Sequence, residues 1–453
     1  MLKDALTGWQ RPEKPLHDAL ATALREAVLD GRVRVGDRLP SERRLAAELG
    51  VSRGTVVAAL SLMRAEGWLV TEHGRGSEVR LPPSFGERYA PLSVDGQGSS
   101  LDLRRAVPAA PRTIVTEAAA RALARSARLL LESGEPGAGL PELRELIAQR
   151  YTAEGLATRP EQILVTSGAR AALAMLVAHF DPRRTVVENP AFFGTLATLR
   201  RFGGRTAPLR VTTEGWDTDQ LTVAFREASG GVACLVPDFQ NPTGALMSSP
   251  VRREISELAA RHRVTVIVDE TMRDIDLRDH PVPEPRIRQA VTIGSMSKTV
   301  WGGLRVGWIR GSAALIRELL LDPVSGLYTP PPMEQLVVCE VLPFLDALLA
   351  HRRGELRRQR DHLAGRLNED DAWTFSLPQG GLALWLRLSG VSGETLARKA
   401  ARAGLSLLPG SKFSPDGTLA NWLRVPYTAP AETLDRVVEH LGQAYRSCWK
   451  AHT

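Results

Sequence analysis

Ser295–Arg305 reads SMSKTVWGGLR and follows the short apolar run Ala290-Val291-Thr292-Ile293. That run predicts a buried strand closing at Gly294. A lysine just past a strand end, among small polar residues, is an unusual placement. Lysine normally keeps its charge in water, and burial is costly unless the charge is paired or lost. An enclosed lysine gives up its proton more readily, and the neutral amine can form a Schiff base with an aldehyde. Arg305 lies seven residues on, after Gly302 and Gly303, which let the backbone turn tightly. A planar guanidinium there suits a phosphate held bidentately. Taken alone, the stretch reads equally as a surface loop with two ordinary basic residues.

Working outward, several other predicted strands end in chemically suggestive loops. Ile163-Leu164-Val165 predicts a strand; TSGAR (Thr166–Arg170) and an apolar helix over Ala171–His179 follow. A strand, a glycine turn and a helix N-terminus together offer backbone N–H groups to a phosphate. Thr185–Val187 leads into ENPAFFG (Glu188–Gly194), and Val232–Val236 into PDFQNPTG (Pro237–Gly244), a turn by composition. Val264–Val268 predicts a β-branched strand ending in DETM, Asp269–Met272. A carboxylate at the C-terminal end of a strand lies where α/β sheets bind ligands, although a lone aspartate there also reads as a helix cap. From Leu101 onward helical and strand patterns alternate, which predicts an α/β architecture with a mostly parallel sheet. An aldehyde for Lys298 and a phosphate for Arg305 together describe pyridoxal 5′-phosphate.

In order and spacing, Asn241, Asp269, Lys298 and Arg305 resemble the fold-type I aminotransferases, where Ser-x-Ser-Lys is followed by Gly-Leu-Arg. The resemblance implies that Lys298 carries the cofactor as a Schiff base. It implies that Ser295 and Arg305 hold the phosphate together with Gly168, Ala169 and Arg170. Phe192 would stack on the cofactor ring, Asn241 would donate to its phenolic oxygen, and Asp269 would face the pyridine nitrogen. PQGGLALWL (Pro378–Leu386) and LLPGSKF (Leu407–Phe413) look like the family's small domain. WLRVPY (Trp422–Tyr427) puts Arg424 where the family binds a substrate α-carboxylate; read from residues alone, Arg424 is a surface arginine on an edge strand.

The first eighty residues have another character. Leu16–Asp30 predicts an amphipathic helix stopped by Gly31. Ser41 predicts an N-cap for a helix ending at Leu49 and Gly50, and Ser52 caps a second helix over Arg53–Glu66, ended by Gly67. Leu69–Thr71 and Glu78–Arg80 predict two strands with HGRG, His73–Gly76, between them. Two short helices joined by a glycine-containing turn form a helix-turn-helix, in which the start of the second helix faces the major groove. The run LPSERRLAAELGVSRGTVVAAL, followed by GWLVTEHGRG, resembles the winged helix of GntR-type regulators. By that resemblance Arg43, Ser52, Arg53, Gly54 and Thr55 contact double-stranded DNA, and Gly74 with Arg75 brings the wing tip near the minor groove. Val57 departs from the pattern, since an arginine often stands there.

The expected division is a DNA-binding domain over 1–81, a Pro- and Gly-containing linker over 82–100, and an aminotransferase-like domain over 101–453 with a large and a small α/β part. The net charge of +7 does not single out a nucleic-acid-binding half. Residues 1–81 carry 13 Lys and Arg against 11 Asp and Glu, so the local pattern must decide. Three scattered cysteines, Cys234, Cys339 and Cys448, fit a reducing cytoplasm and show no metal spacing. No uncharged apolar run is long enough for a membrane span.

The pairing of the two motif sets resembles the MocR subfamily of bacterial regulators. That implies a homodimeric, pyridoxal phosphate-dependent transcriptional regulator that senses the cofactor itself, or an amino acid or amine, through Lys298. The alternative is a working aminotransferase with an accessory DNA-binding domain. Little turnover is expected, because Thr271 and Met272 stand where many fold-type I enzymes carry a tyrosine for the phenolic oxygen. Ser133 stands roughly where another tyrosine is usual, and Tyr328 could in principle substitute.

Overall fold

The computed structural model describes residues 6, 8–10, 15–72, 76–80, 82, 101–127, 129–131, 134, 137–202, 204–280, 284–322 and 328–449. Gly74, Arg75 and Ser133 lie outside the described residues.

The N-terminal unit is built from α1 (Leu16–Leu29), α2 (Glu42–Leu49), α3 (Arg53–Ala65) and a hairpin of β1 (Leu69–Glu72) and β2 (Gly76–Val79). Each helix starts and stops for a local reason. The Ser41 hydroxyl accepts from Arg44 N, and the Ser52 hydroxyl accepts from Thr55 N at 3.1 Å. Such caps satisfy N–H groups that the helix itself leaves orphaned. Gly50 ends α2 at φ 67°, and the chain then bends by 116° into α3. Leu20, Leu24, Leu45, Val56, Leu60, Met63 and Trp68 close a core of their own. Each such side chain contributes roughly 1.5–3 kcal/mol by leaving water. The hairpin pairs Leu69 with Val79 and starts earlier in β2 than periodicity alone indicates.

The remainder forms two layers of α/β structure. After β3 (Leu101–Asp102) come β4 (Ile163–Thr166), β5 (Arg184–Asn189), β6 (Arg205–Thr212), β7 (Gly215–Trp216), β8 (Val232–Leu235), β9 (Thr265–Asp269), β10 (Val291–Ser295) and β11 (Gly307–Arg310). Strands β4 to β11 make one eight-stranded sheet in the order β4-β11-β10-β9-β8-β5-β6-β7. The β6/β5/β8/β9/β10 block is parallel, while β11 runs antiparallel to both of its neighbours. Helices such as Ala169–Phe180 and Ser249–His262 pack apolar residues against its faces. Because the block is parallel, Asn189, Leu235, Asp269 and Ser295 all end at one edge of the sheet. Open α/β sheets bind ligands at that edge.

The smaller part contains β12 (Trp373–Thr374), β13 (Ala383–Leu388), β14 (Leu405–Ser406), β15 (Leu408–Pro409) and β16 (Trp422–Pro426). Its sheet runs β12-β13-β16-β15, and β14 pairs in parallel with β3, Leu405 opposite Leu101. Helices Leu345–Leu367, Gly393–Arg402 and Ala431–Trp449 cover it. The segment that follows residues 82–100 is therefore stitched into the small part.

The winged helix rests on both parts. Leu419 N donates to Leu29 O, Arg387 pairs with Asp30 at 3.0 Å, Arg34 donates to Gln220, and Gly31 approaches Asn189. Among the described residues, no single helix is long and apolar enough to cross a membrane.

Candidate functional site

The edge of the large sheet gathers the residues that the sequence singled out. Lys298 follows β10 and is largely enclosed. Its Nζ donates to Ala106 O at 2.7 Å. Burial pulls its pKa down to about 8; the positive charge of Arg424 adds to this, and Asp269 opposes it. Asp269 ends β9, and its Oδ1 accepts from Thr271 N at 2.8 Å. Burial raises its pKa, while the Thr271 contacts and Lys298 hold it back. Enclosure thus favours the neutral form of both groups, and their mutual attraction favours the charged pair.

Arg424 is not the surface arginine that was the alternative to its carboxylate-binding role. It sits on β16, an interior strand flanked by β13 and β15, and is 1% exposed rather than lying on a surface edge. Its guanidinium lies 4.9 Å from the centroid of the Phe413 ring. Nη1 donates to Asn241 Oδ1 at 3.3 Å and Nη2 to Arg104 O at 2.6 Å. Nε is buried without a partner, and burial pushes the group down to about 9. Among the described residues no carboxylate pairs with it. A guanidinium this deep without a counter-charge is costly, and an anion entering beside it would relieve that cost.

Gly168 N-caps the helix Ala169–Phe180 at φ 97°, with no side chain closing the cap. That leaves backbone N–H groups and the positive end of the helix dipole open to an anion. Arg170 is exposed and Ala169 half-buried. Gly307 lies against this turn. A β-carbon there would stand 2.8 Å from Gly168 C and 2.7 Å from Gly294 O, both backbone atoms. Gly307→Ala should cost about 1–3 kcal/mol by overpacking and should weaken phosphate binding. Thermal unfolding and a phosphate titration of the variant check both.

Arg305 is exposed at φ 52° and makes no ion pair among the described residues, so its fork is available. Ser295 is buried, and its hydroxyl lies 3.1 Å from Ser297 Oγ and 3.3 Å from Val306 O, two acceptors that share its one proton, which holds the turn that presents Lys298. Phe192 is half-buried, its ring 4.5 Å from that of Phe193. Asn241 follows Gln240 in a loop anchored by a buried ion pair, Arg252 to Asp238 at 2.8 Å. Met272 is buried in the core of the small part and presents no hydroxyl. Tyr328 O accepts from Ser167 N, which keeps that tyrosine beside the phosphate turn. Two contacts escaped sequence reasoning altogether: the carbonyls of Arg104 and Ala106. Backbone acceptors carry no residue-type signal.

On the DNA-binding unit, Arg43, Ser52, Arg53 and Gly54 are exposed at the α2/α3 corner, and Thr55 is half-buried. The Arg53 side chain is 71% exposed and only loosely paired with Glu42, at 3.6 Å, so it is free to reach a base or a phosphate.

Residues 99–441 match the model of aminotransferase class I and II, and residues 16–79 match that of the bacterial regulatory proteins of the gntR family. The chain is 30% identical to the uncharacterized HTH-type transcriptional regulator YdcR of Escherichia coli, covering 90% of this chain and 93% of that protein. It is also 30% identical to the probable rhizopine catabolism regulatory protein MocR of Rhizobium meliloti, over 65% of each. Among solved structures, the α-aminoadipate aminotransferase LysN of Thermus thermophilus, complexed with N-(5′-phosphopyridoxyl)-L-leucine, superposes with a TM-score of 0.71 at 25% identity. That match covers 81% of this chain and 97% of LysN. The chain belongs to the MocR-type family of HTH transcriptional regulators, in which a GntR winged helix precedes a class I and II aminotransferase domain.

Proposed function

We propose that this protein is a pyridoxal phosphate-dependent regulator that binds an operator through its winged helix and reads an amino acid or amine at Lys298. The residues present fit the cofactor: an enclosed lysine of lowered pKa, a carboxylate at a strand end, an uncapped helix N-terminus and a free arginine. Bound pyridoxal phosphate supplies an aldehyde for primary amines and a ring that withdraws electrons. Lys298 offers its neutral amine. Asp269 keeps a proton on the pyridine nitrogen, and Asn241 donates to the phenolic oxygen. Phe192 covers the ring and excludes water. The helix start at Gly168–Arg170 and Arg305 hold the phosphate, with Ser295 shaping the turn. Arg424 receives the α-carboxylate.

One observation carries the regulatory reading. The two cations of the site, Arg424 and Lys298, both end on carbonyls of the short segment Arg104–Ala106. An entering carboxylate competes with Arg104 O for the guanidinium. Lys298 reacting with an aldehyde gives up its donation to Ala106 O. That segment follows β3, which is paired to β14 of the small part, and Leu29 and Asp30 of the winged helix rest on the same part, so its release bears on that contact. Such a device needs differential binding of effector to two states.

The test is a titration of purified protein first with pyridoxal phosphate and then with amino acids, following the visible spectrum and operator affinity together. Spectral change coupled to altered DNA affinity, without sustained turnover, is expected. Turnover with a keto-acid acceptor at about 1 s⁻¹ or faster would instead favour an enzyme with an accessory DNA-binding domain. The absence of a tyrosine hydroxyl at Thr271 and Met272 argues against such rates.

Arg53→Ala should weaken operator binding by about 1–3 kcal/mol and leave the cofactor spectrum intact. Arg43→Ala should lower the salt dependence if it grips a phosphate. Unchanged footprints for both variants would move the DNA contact elsewhere. The family reading also makes the protein a homodimer, for which exposed Leu123, Leu130, Leu131 and Phe344 supply apolar surface.

A further inference from the structure

We propose that Glu188 is a positioning residue for the cofactor: through Gln240 it locks the loop carrying Phe192 to the loop carrying Asn241. This rests on the cofactor reading above.

Glu188 is 1% exposed, an uncommon place for a carboxylate. Its Oε1 accepts from Trp216 Nε1 and from Val236 N, both at 3.0 Å. Its Oε2 accepts from Gln240 Nε2 at 3.1 Å. Burial raises its pKa to about 8, whereas these three N–H donors hold it down. All three partners are N–H donors, an arrangement that favours the ionised carboxylate and opposes the effect of burial.

Gln240 is the other half of the device. Its Nε2 also donates to Pro190 O at 2.6 Å, two residues before Phe192. Its Oε1 accepts from Thr243 N at 3.1 Å and from the Thr243 hydroxyl at 2.8 Å. One side chain therefore ties β5, the Pro190–Phe192 turn and the Asn241–Thr243 turn together, and Glu188 fixes its orientation. Asn241, held next in sequence, meets the Arg424 guanidinium. The loop that would cover the cofactor ring and the loop that would donate to its phenolic oxygen thus share one buried acceptor. A core built only for packing would place an apolar residue at position 188, because an unlinked buried carboxylate costs stability.

The experiment uses the full-length protein and pyridoxal phosphate. Glu188→Gln keeps volume and the acceptor toward Trp216 and Val236 but turns an amide N–H₂ against that of Gln240. Cofactor affinity is expected to fall at least about tenfold, as for a lost hydrogen bond to a charged group. The circular dichroism of the bound chromophore should shrink, because ring and protein dipoles lose their fixed relation. Trp216→Phe removes one donor away from Gln240 and should leave both unchanged. The proposal is overturned if Glu188→Gln binds and rotates light like wild type, or if Trp216→Phe loses as much. Should Glu188→Gln not fold, Gln240→Met probes the same link, and wild-type cofactor binding by that variant overturns the proposal. A wild type that binds no pyridoxal phosphate refutes the cofactor reading itself.

Discussion

Lys298→Ala is expected to abolish covalent capture of pyridoxal phosphate, so that borohydride leaves no labelled residue, while operator binding by the free protein persists. The loss should be complete because only a neutral amine at this position can bond to the aldehyde carbon. Desolvation holds Lys298 near pKa 8, with Arg424 adding to the shift. At pH 7 about a tenth of the protein then carries the reactive form, against roughly one molecule in three thousand for an ordinary lysine. Capture should therefore speed up as pH rises toward 8 and level off above it. The same shift fixes a stability trend. The folded pKa is depressed, so the charged lysine penalises the free protein fully below about pH 8. The penalty fades as pH climbs from about 8 to the ordinary lysine value of 10.5. Lys298→Met should accordingly make the cofactor-free protein more stable at neutral pH, with the gap closing in alkali. Denaturant unfolding across that range reads it. A reducible adduct surviving in Lys298→Ala would place the chemistry on another residue.

Arg424→Ala is expected to weaken amino-acid binding on the order of a hundredfold or more, the scale of losing a desolvated charge partner, while cofactor capture at Lys298 survives. The guanidinium is 1% exposed and backed by Phe413, and its Nε lacks a partner. An α-carboxylate would meet both the unspent charge and the unspent donor. Arg424→Lys should rescue little, because an ammonium cannot reproduce the planar fork. Amines without a carboxylate should be almost indifferent to either change. Spectral titration of the cofactor-loaded variants with paired amino acids and amines separates these outcomes, and equal losses for both ligand classes would remove Arg424 from carboxylate recognition.

Much of the molecule was legible in the residues. Ser41, Gly50, Ser52 and Gly67 mark the helix ends because caps and left-handed turns demand those residue types. Ile163–Thr166, Val232–Leu235 and Thr265–Asp269 are strands within a residue or two of where apolar runs put them, since strands buried on both faces read as apolar runs. Asp269, Lys298 and Asn241 stand at strand ends in an order that a parallel sheet turns into neighbours.

By itself, then, the sequence determined the two kinds of unit, the sheet edge that carries the chemistry and the lysine at its centre, because caps, periodicity and motif order are local properties. Tertiary structure alone decided the rest. Arg424 became a buried cation only when β13 and β15 closed around β16, and register between distant strands leaves no mark on a single segment. The Arg104 and Ala106 carbonyls met the two cations because β3 pairs with β14, some three hundred residues away in the chain. Glu188 became the shared acceptor of two loops through Trp216, Val236 and Gln240, none of which announces the contact. The landing of α1 on Leu419 and Asn189 likewise depends on the shape of two finished surfaces. Contacts between backbone carbonyls and remote side chains follow from how the layers stack, and composition carries no record of them.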